Sequence, residues 1–198
     1  MAQGGTGLSA TPQIALVGCG YWGKNLCRNF HALGALSSVV DATESGQSIA
    51  RSIAPDIQAM DSLDDVLRND QIQGVALATP AETHAELAIQ AMQAGKDVFV
   101  EKPMALTLED AEKMKKVAEG TDRILMVGHL LEYHPAVLKL RELIASGQLG
   151  KINYIYSNRL NFGKVRTEEN ALWSFAPHDV AVILRLMGQE PVEVSACG

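Results

Sequence analysis

Oxidising an alcohol needs a group to take the hydroxyl proton, donors to hold the oxygen, and an acceptor for the hydride. Three stretches of this 198-residue chain carry residue types suited to those tasks. Gly18-Cys19-Gly20-Tyr21-Trp22-Gly23 has the glycine spacing of a dinucleotide turn. Glu101-Lys102-Pro103 sets an amine before a proline, which biases Lys102 toward an extended backbone and fixes where the amine points. His178, beside Asp179, offers an imidazole suited to proton transfer at neutral pH. By composition alone a lysine in this position is more often a solvated surface residue. A histidine at the start of a helix is as often a structural hydrogen-bonding group.

The glycine spacing is weak evidence by itself, because glycine punctuates any tight turn. Its context is what counts: an apolar run, Ile14 to Val17, precedes it and a helical pattern follows to about Leu33. Gly18 makes the turn, Gly20 lets backbone approach a pyrophosphate, and Gly23 allows the helix to pack closely. The helix N-terminus then presents free N–H groups and a positive dipole end to the phosphates. Asp41 follows at the end of the next apolar run, where a carboxylate accepts both ribose hydroxyls and repels a 2′-phosphate. The alternative for Asp41 is a strand-terminal acid capping the next helix. No arginine follows at once, and the expected cofactor is NAD rather than NADP.

The elements that must position these residues alternate as short apolar runs and helical patterns, the signature of βα units on a parallel sheet. Strands are expected at 14–17, 37–42, 57–60, 74–79, 98–100 and 124–127. Ala85, Ala88, Ile89 and Met92 fall on one face of a helix that Gly95 ends. Thr107, with Asp110 three residues on, caps another. Thr79, Pro80 and His84 then lie just past a strand, at the carboxyl edge where such sheets bind ligands. Beyond residue 128 the texture changes. A helix is expected at 135–146, a strand of an antiparallel sheet at 152–160, a helix from Pro177 to Leu186, and a further strand at 192–196. Two strands cannot bury a sheet face by themselves, so this second domain reads as incomplete. The organisation is a flexible lead-in at 1–12, a doubly wound Rossmann domain at 13–128, and the start of a substrate-binding α/β domain at 129–198.

Composition excludes other classes. Lys and Arg number 17 against 23 Asp and Glu, a formal charge of -6 that disfavours nucleic acid or an anionic membrane as partner. The first residues lack the basic and apolar regions of a secretory signal, and no apolar run is long enough to span a membrane. Three cysteines without metal-ligand spacing read as free thiols in a cytoplasmic protein. An exposed sheet edge and apolar face would favour self-association, so a homo-oligomer is expected.

Taken together, Gly18 to Gly23, Ala78-Thr79-Pro80 with His84, Glu101-Lys102-Pro103 and His178 resemble the Gfo/Idh/MocA family of oxidoreductases. The resemblance implies a Rossmann domain, then an α/β domain with a mostly antiparallel sheet, with a sugar or cyclitol bound between them. It implies NAD contacts from Gly18, Gly20, Tyr21, Trp22, Gly23, Asp41, Thr79, Pro80, His84, Glu101 and Lys102. Lys102 matches the family's active-site lysine and His178 its acid/base histidine. Ser174 and Ala181 stand where many members carry aspartates, which sets the chain apart from the polyol enzymes. Gly20 to Asn25, Gly128 to Pro135 and the stretch from Asn158 to Trp173 are similar to a nucleotide-sugar branch. Its members oxidise C3 of UDP-N-acetylglucosamine or of the corresponding uronate. On that resemblance Arg159, Asn161, Arg166, Trp173 and His178 would meet the substrate. Arg159, Lys164 and Arg166 are equally readable as a solvated loop, and a non-catalytic NAD-binding module is the rival of another class.

Overall fold

A computed structural model describes residues 11–160 and 171–197. The chain divides into two compact units, Met1–Gly128 and His129–Gly198. The first unit alternates β1 (Ile14–Val17), α1 (Gly23–Ala32), β2 (Leu36–Val40), α2 (Glu44–Ile53), β3 (Gln58–Met60) and α3 (Asp64–Arg68). It continues with β4 (Gly74–Leu77), α4 (His84–Gln93), β5 (Asp97–Val100), α5 (Leu108–Thr121) and β6 (Leu125–Val127). All five strand pairings are parallel, in the order β3-β2-β1-β4-β5-β6. The expected Rossmann sheet is therefore formed. The chain reverses its direction of winding between β1 and β4, which opens a crevice at their carboxyl ends.

Burial on both faces explains the short, uniformly apolar strands. One face carries Leu77, Met92, Val100 and Met114, beneath α4 and α5; the other carries Leu16, Leu26, Leu36 and Val39, beneath α1 and α2. Phe30 of α1 meets Phe99 of β5 edge to face, with centroids 6.5 Å apart. Cys19 and Cys27 are fully buried free thiols. A hydrogen bond to Cys27, burial, and repulsion from the Asp41 charge hold the Cys19 thiol well above its ordinary range, which keeps it unreactive.

The helix starts differ in an informative way. Thr43 caps α2, its hydroxyl accepting from Gly46 N at 3.0 Å, and Thr107 caps α5, accepting from Asp110 N at 3.1 Å. Each cap satisfies one of the N–H groups that a helix leaves open. By contrast, α1 begins with no capping side chain and no acid in its first turn. Its Lys24 and Asn25 N–H groups donate instead to backbone carbonyls of the turn, Gly20 O at 3.3 Å and Trp22 O at 2.8 Å.

The second unit has a 3-10 turn at Leu130–Tyr133, then α6 (Pro135–Ala145) and α7 (Ala171–Met187). Two expectations fail here. No strand forms at 152–160 or 192–196. A strand needs a paired neighbour, and Tyr154 and Tyr156 stand 82% and 78% exposed with no sheet to join. The expected antiparallel sheet is thus not formed among the described residues. Pro177 also does not start a helix but lies inside α7. A proline there removes a hydrogen bond at a cost of about 3 kcal/mol. The packing of the apolar α7 against α6 and the 3-10 turn offsets that cost. His178 is consequently a mid-helix residue.

The side chain of Met92 is fully enclosed among Leu77, Ala88 and Met114. Met92→Ala is expected to destabilise the protein by about 2–5 kcal/mol, read as a lower urea midpoint with an unchanged m-value.

Candidate active site

Five chain segments leave the sheet at its carboxyl edge, and backbone hydrogen bonds keep them in step. Gly18 N donates to Val40 O, Asp41 N to Met60 O, Ala78 N to Val17 O, Glu101 N to Leu77 O, and Gly128 N to Val100 O. The glycine turn, Asp41, Thr79 and Glu101 are thereby gathered on one rim.

Space decides the glycines. A Cβ on Gly18 would stand 2.7 Å from Ala78 O, and one on Gly23 would stand 2.0 Å from Gly18 O. Gly18 also has φ +89°, where side chains are strained. A Cβ on Gly20 would meet nothing within 4 Å, so the space above its backbone is open. A pyrophosphate fits that cradle beside the uncapped start of α1.

Asp41 is held from three sides. Cys19 N donates to Oδ2 at 2.7 Å, while the Thr43 N–H and hydroxyl donate to Oδ1 at 2.9 and 2.7 Å. Burial alone would raise its pKa, but the hydrogen bonds from Cys19 and Thr43 outweigh burial and leave it below the ordinary value of 3.8. A carboxylate oxygen has two lone pairs, so Oδ2 keeps one for a ribose hydroxyl. Thr43 was not legible as part of the site; its signal was a threonine two residues past the strand-terminal acid.

Glu101 is the buried centre of the rim, 7% exposed. The Trp22 indole N–H donates to its Oε1 at 2.7 Å, and its carboxylate would stand 3.0 Å from a Cβ on Gly128. Burial pushes Glu101 above the usual glutamate range, against the Trp22 bond, the Lys102 N–H and the charges of Lys102 and His84. Glu101 and Trp22 thus bind each other, joining the glycine turn to the lysine loop. Gly128 was missed in the sequence; a glycine ending a strand opposite an acid was the available sign. Lys102 is half-buried directly after Glu101, and the Lys102-Pro103 peptide is cis.

His84 opens α4. It is 1% exposed, with Nδ1 2.9 Å from Pro103 O and Nε2 3.0 Å from Thr79 O. Both ring nitrogens meet protein carbonyls. Thr79 is half-buried and its hydroxyl accepts from Thr83 at 2.7 Å; Pro80 is exposed. Tyr21 is 80% exposed, with Lys24 Nζ 5.5 Å from its ring centroid.

In the second unit, Arg159 binds Asp179 in a forked pair, Nε to Oδ2 at 2.8 Å and Nη2 to Oδ1 at 3.3 Å, with Ser157 donating to Oδ1 at 3.0 Å. The Arg159 bond, with help from Ser157, holds Asp179 below the usual aspartate range against burial. The guanidinium read from sequence as a substrate contact is engaged within the protein. Trp173 lines an apolar groove of about 810 Å³ with His129, Pro177, Val180 and Leu184. His134 caps α6, accepting from Ala136 N at 3.2 Å. His31 pairs with Asp56 at the surface. Asn161, Lys164 and Arg166 lie outside the described residues. Among the described residues no group of His, Cys, Asp or Glu could hold a metal, and no helix is long and apolar enough to cross a membrane.

Residues 13–129 match the GFO_IDH_MocA oxidoreductase family, described by its NAD-binding Rossmann fold. The chain belongs to that family. NAD is its cofactor, in agreement with the open Gly20 cradle and the carboxylate at Asp41. Among the family's curated proteins, it is 31% identical to a 2,7-anhydro-N-acetylneuraminate hydratase of Mediterraneibacter gnavus, over 95% of this chain and 52% of that protein. It is 30% identical to a UDP-N-acetylglucosamine 3-dehydrogenase of Acidithiobacillus ferrooxidans, over 94% of this chain and 58% of that one. A crystal structure of an oxidoreductase from Magnetospirillum magnetotacticum superposes with TM-score 0.79 at 30% identity, covering 92% of this chain and 59% of that chain. The chain spans about half the length of these family members.

The two rim carboxyls give opposite pH signatures. Asp41, with its lowered pKa, contributes stability that is full above about 3.8 and is lost as pH falls through its folded value. Glu101, with its raised pKa, contributes stability that is full below about 4.5 and is lost as pH rises through its folded value. Asp41→Asn should therefore flatten the acid limb of a stability-versus-pH curve, and Glu101→Gln should flatten the limb just above the ordinary glutamate range. Chemical denaturation across pH checks both. Asp41→Asn should also narrow the preference for NAD over NADP by about tenfold or more in calorimetric titration, since its charge repels a 2′-phosphate.

Proposed function

We propose that this chain carries the cofactor site of an NAD-dependent dehydrogenase that oxidises the C3 hydroxyl of a UDP-linked N-acetylated hexose. The observation that carries the reading is the Glu101–Trp22 bond, which ties the lysine loop to the dinucleotide turn. A lysine so placed starts from the rim where the reactive end of the cofactor meets its substrate. When bound, NAD supplies the hydride acceptor.

The chain's own residues do the rest. Lys102 donates a hydrogen bond to the reacting oxygen and holds it in line. His178 takes the hydroxyl proton as the C3 hydrogen leaves with its electron pair, and the product is a 3-keto sugar. Asp179 lies next to it in α7, and the Arg159 fork restrains that carboxylate, so Arg159 serves as a positioning residue. Trp173 offers an apolar wall to a sugar or base. The two relatives described above both act, by name, on N-acetylated sugars, which supports that substrate class.

Lys102→Ala and His178→Ala are each expected to lower turnover by about a hundredfold or more while NAD still binds. The check is hydride transfer by nicotinamide absorbance, with UDP-N-acetylglucosamine and the matching uronate assayed side by side. Unchanged turnover in either variant would remove that residue from the mechanism. Faster oxidation of the uronate would move the substrate to that sugar. Calorimetric NAD binding without oxidation of either sugar would mark a non-catalytic module.

A further inference from the structure

His84 starts α4 and is 1% exposed, yet its ring lies between two carbonyl oxygens, Pro103 O at 2.9 Å and Thr79 O at 3.0 Å. A carbonyl only accepts. A neutral imidazole has one donor and one acceptor nitrogen, so it would satisfy one carbonyl and turn a lone pair toward the other. Two donors need two ring protons and a positive charge. Such a charge is tolerated in a buried place only near an opposite one. Glu101 is the buried acid close enough to interact with the ring by charge, beside Lys102.

The two carbonyls belong to the loops after β4 and β5, which are neighbours in the sheet. Thr79 belongs to one loop. Pro103 follows Lys102 in the other.

We propose that His84 works as a doubly protonated imidazolium that clamps the Thr79 and Pro103 loops together, setting where Thr79, Pro80 and Lys102 meet the bound cofactor. It is a positioning residue, and the charged groups acting with it are Glu101 and Lys102. Loss of its second proton frees one carbonyl and lets the loops part. The consequence for turnover rests on the role given to Lys102 above; the charge state and the effect on NAD binding do not.

The test is ring ¹⁵N NMR of the 198-residue chain from about pH 6 to about pH 9, with NAD titrated by calorimetry at the same pH values. His84→Gln assigns the signal by its disappearance. In the native chain both His84 nitrogens should be protonated at the acidic end. NAD affinity should fall by about tenfold over the range in which the second proton leaves, the effect of one charge-assisted hydrogen bond. His84→Gln, which cannot donate in both directions, should bind NAD about tenfold more weakly throughout and show no such step. A singly protonated ring across the whole range would overturn the proposal. So would a doubly protonated ring whose titration left NAD affinity unmoved. Both readings come from the native chain, so they stand even if the variant fails to fold. Loss of turnover in Lys102→Ala with an unchanged His84 signal would separate this clamp from the catalytic assignment.

Discussion

At the end of β5 a carboxyl group, Glu101, is buried where water cannot solvate it, and the rim of the sheet is arranged to make that tolerable. The Trp22 indole donates to it, Gly128 leaves room for it, and Lys102 brings positive charge. A buried acid needs hydrogen bonds or opposite charge, so these groups must stay close once the chain folds. The same requirement joins the glycine turn to the lysine loop. The proposed function requires those two segments to be held at a fixed separation.

The second constraint is space. Gly18 and Gly23 are required because strand, turn and helix lie within contact distance, whereas the space above Gly20 is open. Capping follows the same division. Threonines close the starts of α2 and α5, and α1 begins with neither a capping side chain nor an acid. Asp41 completes the arrangement by binding Cys19 N within the turn while keeping a lone pair for a ribose.

The parallel sheet, its six strands and the glycine turn were legible from the chain. Runs such as Ile14 to Val17 and Gly74 to Leu77 have no other use than burial on both faces, and the turn glycines sit between a strand and a helix. Boundaries were less legible: β2 stops at Val40, leaving Asp41 free to turn back onto Cys19, and Thr43 takes the cap of α2. In the second unit the alternation at 152–160 resembled a strand, but alternation gives only a face. Pairing needs a neighbour.

The sequence by itself determined which residues could do chemistry and that Gly18 to Gly23, Asp41, Thr79 and Glu101 would lie at the carboxyl ends of parallel strands, because hydrophobic period and turn glycines are local properties. What the tertiary structure decided is what each of them does there. Glu101 and His84 are buried and hydrogen-bonded within the first unit, Arg159 is paired with Asp179, and His178 lies within α7 rather than at a helix start. The physical reason is that burial and hydrogen-bond partners come from residues distant in the chain. Trp22 and Glu101 are 79 positions apart, and no local pattern announces that one will donate to the other.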